Sequence, residues 1–194
     1  VNLTNITLSP GNSKLGRIPN TSVVPVLDCK IDAPCKDKCY ALKAFHQYAN
    51  VRNAWLRNSL IWRKYPIRAV ESIINQLSRK QKPVKYFRIH VAGDFIYQKH
   101  LDGWKTIARF FPETKFRAFT KRFDLDYSDK PDNLFIGFSM WPGCEDTAPE
   151  GMRVWVQDGT ETRIPKSSFK CKNDCSKCKR CWDNPPKNLC LKMH

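Results

Sequence analysis

"KYFRIHVAGDF", Lys85 to Phe95, is the stretch on which the fold turns. Tyr86, Arg88 and His90 alternate with Phe87, Ile89 and Val91, the period of two that marks a strand, and the run stops at a Gly-Asp turn. The period then changes. In "QKHLDGWKTIARFF", Leu101, Trp104, Ile107, Ala108 and Phe111 recur at three and four residues, one apolar side of a helix. "TKFRAFT", 114–120, returns to a strand pattern. A strand, a helix and a strand in that order predict a βα unit and a largely parallel sheet.

Working outward, "NLFIGFSMW" (133–141) and "MRVWVQDG" (152–159) read as further strands with no helix-length segment between them. Upstream, "VVPVLD" (23–28) reads as a first strand, which Pro25 pushes towards an edge. From Lys36 to Lys64 there is no Gly or Pro, and the recurring Tyr40, Ala44, Tyr48, Val51, Trp55 and Trp62 predict one long helix. Pro66 suits the first position of another helix, running to Arg79. Five strands are too few for an eight-stranded barrel of about 250 residues. The expected fold class is α/β, a partial (β/α) barrel over residues 1–165. Residues 166–194 form a cysteine-rich tail, too polar for a core of its own, which a metal would have to organise.

The chain has 194 residues, with 41% hydrophobic and 12% aromatic side chains, enough for a packed core. No apolar run is long enough to span a bilayer, so no membrane association is expected. Lys and Arg number 34 against 18 Asp and Glu, and the net charge of +16 points to a polyanionic partner, nucleic acid first. These cations are spread along the chain. Nine cysteines, an odd number in tight clusters, suit metal binding in a reducing, cytoplasmic compartment better than a secreted disulfide scaffold.

Cys171, Cys175, Cys178 and Cys181 form C-x3-C-x2-C-x2-C. Zinc usually takes its ligands as two separated pairs, whereas a consecutive run suits an iron–sulfur centre; zinc stays open as the alternative at this site. Cys190 is a possible replacement ligand, and Cys144 reads as an ordinary buried thiol. Cys29, Cys35 and Cys39 form C-x5-C-x3-C directly after the first expected strand. Three thiols leave one corner of a 4Fe–4S cube without a protein ligand. Zinc completed by a nearby His such as His46 or by a distant cysteine, or a buried structural trio, are the other readings of the same spacing.

A three-cysteine loop after strand one, followed by Tyr40, resembles the cluster loop of radical S-adenosylmethionine enzymes. Gly93 and Asp94 stand where those enzymes carry a Gly-Gly-Glu stretch that holds the methionyl amine, and "KHLDGWKTIARFFPETKFRAFTKR" has the helix–strand cadence of that fold. The resemblance implies a radical S-adenosylmethionine-like core, one or two 4Fe–4S clusters, a bound S-adenosylmethionine near Tyr40, Gly93 and Asp94, and a reductant protein as partner. A closer resemblance covers nearly the whole chain. "GNSKLG" (11–16), "CKDKCYA" (35–41), "FRIHVAGDF" (87–95), "FRAFTK" (116–121), "GFSMWPG" and the closing "LCLKMH" are similar to the phage "gene product 88" family. That implies a viral or prophage origin and the cytoplasm of a host cell.

Among other residues, Arg88 and His90 share an expected strand face and are candidates for binding substrate or phosphate, as are Lys121 and Arg122, which with Thr120 end a strand and suit a phosphate or carboxylate. Asp94 is a site candidate or a helix N-cap. Asn12 and Lys14 are candidates to cover the open cluster corner. Trp55, Trp62, Trp104 and Trp155 fit a core, while Trp141 and Trp182, beside turns, are candidates to stack on a base. The functional expectation is an iron–sulfur protein of radical S-adenosylmethionine-like type acting on nucleic acid or another phosphate-bearing substrate. The rival expectation is a non-catalytic, iron–sulfur- or zinc-stabilised nucleic-acid-binding protein.

Overall fold

The computed structural model describes residues 3–141, 143–144, 147–157 and 163–192. The helices are α1 (Tyr40–Gln47), α2 (Ala49–Lys64), α3 (Pro66–Ser78), α4 (Gln98–Phe110) and α5 (Arg180–Asp183). The strands are β1 (Tyr86–Arg88), β2 (Lys115–Thr120), β3 (Leu134–Ser139), β4 (Met152–Gln157), β5 (Phe169–Lys170) and β6 (Asn188–Lys192). They make one curled sheet, in the order β1-β2-β3-β4-β6-β5, and every pair is parallel. The expected partial barrel of α/β class is therefore present.

Alternation along the strands divides the side chains between two faces. Phe87, Phe116, Ala118, Leu134, Ile136, Phe138 and Trp155 form one cluster with Trp62, Ile73, Leu77, Leu101 and Trp104 of α2, α3 and α4. Burying each of these large side chains stabilises the fold by about 1.5–3 kcal/mol, so this helical face supplies most of the core. The other face carries Tyr86, Phe119, Met152, Val154 and Leu189, packed with Leu15, Ile18, Cys171, Cys175, Cys181 and Trp182. We call it the cysteine face. Gly137 of β3 lies there, and a Cβ at that position would come within 2.6 Å of Phe119 and 2.7 Å of Met152. Only glycine lets those two side chains meet over β3.

Several expectations change in detail. The helix expected over 36–64 is two helices, broken where Tyr48 takes extended angles (φ −115, ψ 110) and caps both. The strand expected at 23–28 does not form, and the chain before it meets β1 through an isolated bridge at Asn20. Residues 19–23 run parallel to β1, with Arg88 N donating to Pro19 O and Thr21 N to Arg88 O, and the chain then turns through Val24–Asp28. Val26 has φ 69, which stops any strand continuing there. The last two residues of the strand expected at 152–159 lie outside the described residues. The cysteine-rich tail joins the sheet: β6 pairs with β4, and β5 pairs with β6. Leu189 and Trp182 are the apolar residues that make this possible, and both are fully buried. Among the described residues, no helix is long and apolar enough to cross a membrane.

Candidate functional site

The loop bearing Cys29, Cys35 and Cys39 leaves the carboxyl edge of the sheet next to residues 19–23. Asp28 fixes its start. This buried carboxylate accepts from Val24 N at 2.9 Å, from Ser59 Oγ, and from Arg63 Nε and Nη2 at 3.0 and 2.5 Å. A buried carboxylate needs such donors and a cation, and here both come largely from α2. From Lys30 onward the loop advances by short turns, Ala33 N to Lys30 O, Lys36 N to Ala33 O and Cys39 N to Lys36 O, and enters α1 with Cys39 as its cap. Tyr40 then reaches back, its hydroxyl donating to Val91 O in the turn after β1.

No disulfide joins the nine cysteines among the described residues. Cys29 and Cys39 are partly buried and Cys35 is exposed. Burial pushes the Cys29 thiol up to about 12; a hydrogen bond from the Val26 backbone opposes this, and Asp94, Cys35 and Cys39 add to it. Asp94, Cys35 and Cys39 thus lie within electrostatic reach of Cys29. Among the described residues, no three His, Cys, Asp or Glu side chains converge on the geometry of a single metal ion.

Asp94 is buried beneath this loop. Its Oδ1 accepts from Phe95 N at 2.8 Å and Thr120 Oγ1 at 2.7 Å, and its Oδ2 from Lys121 N at 2.8 Å. Burial pushes the carboxyl up while these three bonds pull it down. Asp94 joins the turn after β1 to the end of β2 and does not cap α4, whose N-cap is Tyr97. Gly93 has φ +76, and a Cβ there would lie 2.4 Å from Val23 Cγ2, so only glycine closes this turn against the edge segment.

Arg88 and His90 do not share a face. His90 takes φ 52, which turns its ring to the helical face, against Phe95 and His100 at 5.0 and 4.9 Å between ring centroids. Burial, helped by Arg88, pulls the His90 imidazole down to about 3, and neither ring nitrogen has a hydrogen-bond partner among the described residues. Arg88 stays on the cysteine face, its guanidinium 4.0 Å from the Phe119 centroid. Arg122 is engaged within the protein: it donates to Phe95 O and Ile96 O at 2.8 and 2.6 Å and to Asp124 at 2.7 and 2.9 Å. Lys121 contributes its backbone N–H to Asp94, as above.

The second cysteine group lies on the cysteine face. Cys171 N donates to Cys190 O at 2.8 Å, and Cys175 N to Lys14 O at 2.7 Å. The "GNSKLG" turn, held by Asn12 Oδ1 accepting from Lys14 N and Leu15 N, therefore sits on this group and not over the Cys29 loop as expected. Buried Arg117 of β2 lies 3.9 Å from the Phe119 centroid and 5.0 Å from that of Trp182, and it hydrogen-bonds Cys181. Burial pushes the Cys175 and Cys181 thiols up, and Arg117 opposes it in both. Cys171, Cys175 and Cys181 thus gather around Arg117, while Cys178 lines an outward cleft. Cys190 alternates with Leu189 and Leu191, so it points away from the group. Cys144 is buried, bonded to Trp141 through both N–H and carbonyl. Trp182 is 1% exposed and cannot stack on a base. Trp141 stacks on Phe123 with the Lys30 ammonium 5.6 Å from its centroid.

Sequence reasoning missed Asp28, Arg63 and Arg117. Asp28 directly precedes Cys29, and Arg117 alternates with Phe116 and Ala118; those were the available signals. No curated protein and no solved structure matches the chain. A family described as Gene product 88 matches residues 4–142, which include the first cysteine group, the Asp94 turn and β1–β3 but not the second cysteine group. With well over half its length so matched, the chain belongs to the gene product 88 family.

Proposed function

We propose that the protein is an iron–sulfur protein in which Cys29, Cys35 and Cys39 hold a 4Fe–4S cluster with one iron lacking a cysteine ligand. The observation that carries this reading is the grouping of three thiols at the carboxyl edge beside Asp94, with Cys35 and Cys39 within electrostatic reach of Cys29. Such a cluster supplies one-electron chemistry and a coordination site for a small molecule. The chain's own part is to fix the loop through Asp28 and Arg63, to hold the turn through Asp94, and to keep the partly buried Cys29 shielded from water.

The finer reading is radical S-adenosylmethionine-like use of that site on nucleic acid or another phosphate-bearing substrate, with a reductant protein as electron donor. The order edge segment, cysteine loop, helix supports it, as does the position of Gly93 and Asp94. Among the described residues Asp94 Oδ2 accepts one hydrogen bond, which leaves a lone pair for an amine. A second reading is favoured by the filled cysteine face: Trp182, Leu15 and Leu189 occupy it, as the packing of a non-catalytic nucleic-acid-binding protein would. On either reading Cys171, Cys175, Cys178 and Cys181 carry a structural centre, iron–sulfur or zinc, and the setting is the cytoplasm of a host cell.

The test is iron, zinc and acid-labile sulfide content, with the visible spectrum, of protein purified without oxygen. The Cys29→Ala/Cys35→Ala/Cys39→Ala variant is expected to lose the iron of the first site. Zinc in place of iron there, or iron content unchanged in the variant, overturns the reading. S-Adenosylmethionine added to the reduced protein is expected to alter its paramagnetic spectrum and release 5′-deoxyadenosine; an unaltered spectrum with the cluster intact removes the radical reading and leaves the second.

A further inference from the structure

The net charge of +16 is unevenly placed. Residues 163–192 hold nine Lys and Arg against two Asp, a net +7 in 30 residues. Both carboxylates are engaged. Asp183 pairs with Lys115 at 2.6 Å and accepts from the Tyr86 hydroxyl, and Asp174 is bonded by Ser176 and lies 3.8 Å from Lys177. Folding adds Lys85, which with Lys179 lies over the Tyr86 ring at 5.3 and 5.9 Å. Within this face Phe169, Lys172, Asp174, Lys177, Cys178, Lys179 and Arg180 line a cleft of about 550 Å³. Arg180 lies 4.8 Å over the Phe169 ring, Lys177 is 87% exposed, and Lys172 has no ion pair among the described residues. Four cations thus ring an open cleft against one carboxylate, Asp174.

We propose that this face, with Lys172, Lys177 and Arg180 in the cleft and Lys85 at its margin, binds the phosphodiester backbone of nucleic acid. It rests on the polyanionic partner proposed above and gives that partner a place. Lysines and arginines around an open cleft neutralise phosphates and release counterions, with no base contact needed. An acidic protein is the weaker fit, because protein interfaces have an apolar centre. The large exposed apolar residues, among them Leu27, Ile31, Tyr40, Tyr65 and Phe110, all lie outside this segment. The face also reaches the amino end of β1 through Tyr86, whereas the Cys29 loop lies at the carboxyl edge, so binding here does not need the first cluster.

The experiment is fluorescence anisotropy of a labelled DNA duplex titrated with metal-loaded protein over a range of salt. Lys172→Gln/Lys177→Gln is expected to weaken binding about tenfold or more near 0.1 M salt and to lower the slope of log affinity against log salt by about 2. Lys64→Gln/Lys99→Gln removes the same charge from exposed positions on α2 and α4, and is expected to change affinity less than about twofold. Lys85→Gln, distant in sequence from the cysteines, is expected to lower the slope by about 1, so the proposal stays testable if the double variant loses metal. Equal losses in the two double variants, or no loss from Lys85→Gln, overturn the location. No wild-type binding at low salt overturns the polyanionic partner itself, and equally tight binding to poly-glutamate overturns nucleic acid as its identity.

Discussion

The two cysteine-bearing regions are built in opposite ways. The Cys29–Cys39 loop stands at a sheet edge with Cys35 exposed, with Ile31 91% exposed at its tip, and with a buried carboxylate, Asp94, beneath it. The Cys171–Cys181 segment lies against the sheet, with Cys181 and Trp182 buried and a buried arginine, Arg117, facing the thiols. An exposed loop on a fixed base is arranged for access. A segment that closes one face of the sheet is arranged for stability. The family match takes in the first region and stops before the second.

The largest expected break in this comparison is in stability. Trp182→Ala removes a buried ring packed on Tyr86 and Arg117, and should cost about 3–5 kcal/mol in denaturant unfolding. Ile31→Ala, at the tip of the first loop, should stay within about 0.5 kcal/mol. Equal costs would remove the distinction between a closing segment and an accessible loop.

Acid should separate the regions next. His90, buried below the Asp94 turn against Phe95, His100 and Trp104, is pulled down to about 3, so the unfolded chain takes up its proton first as pH falls below about 6.5. Stability is full above that pH and should fall by about 1.4 kcal/mol per pH unit between about 6.5 and 3, with His100, also pulled down by burial, adding in the same direction. His90→Phe should flatten part of that slope in urea unfolding at several pH values. An unchanged slope would place the acid sensitivity elsewhere.

The smallest effect is chemical. In metal-free protein at pH 8, exposed Cys35 should be alkylated well before Cys29, whose thiol burial pushes up to about 12. Mass spectrometry of the timed reaction reads the order. Cys29 reacting as fast as Cys35 would show that the loop does not shield it.

Much of the fold was legible because period and breakers are local. The change from period two at Tyr86–Val91 to period near four at Leu101–Phe111 gave β1, α4 and β2, and Pro66 gave the start of α3. The break at Tyr48 was not legible, since nothing in that stretch is a strong helix breaker. His90 was misplaced because strict alternation assumes extended angles throughout, and its φ of 52 ends the pattern two residues after Arg88. Arg122 shows the limit of reading cations at strand ends: its guanidinium is used by Asp124 and two carbonyls.

By itself the sequence determined the α/β class, the two cysteine groups, and the strong positive charge, because spacing, periodicity and composition are properties of the chain alone. Only the tertiary structure decided that the "GNSKLG" turn rests on the second cysteine group, that Cys190 points away from it, and that Asp28 is anchored by Arg63. It likewise decided that Arg88 and Arg117, 29 positions apart in sequence, meet over one Phe119 ring. The physical reason is register. Which strand neighbours which, and which face each residue takes, follows from parallel pairing between distant segments, and no local pattern encodes that.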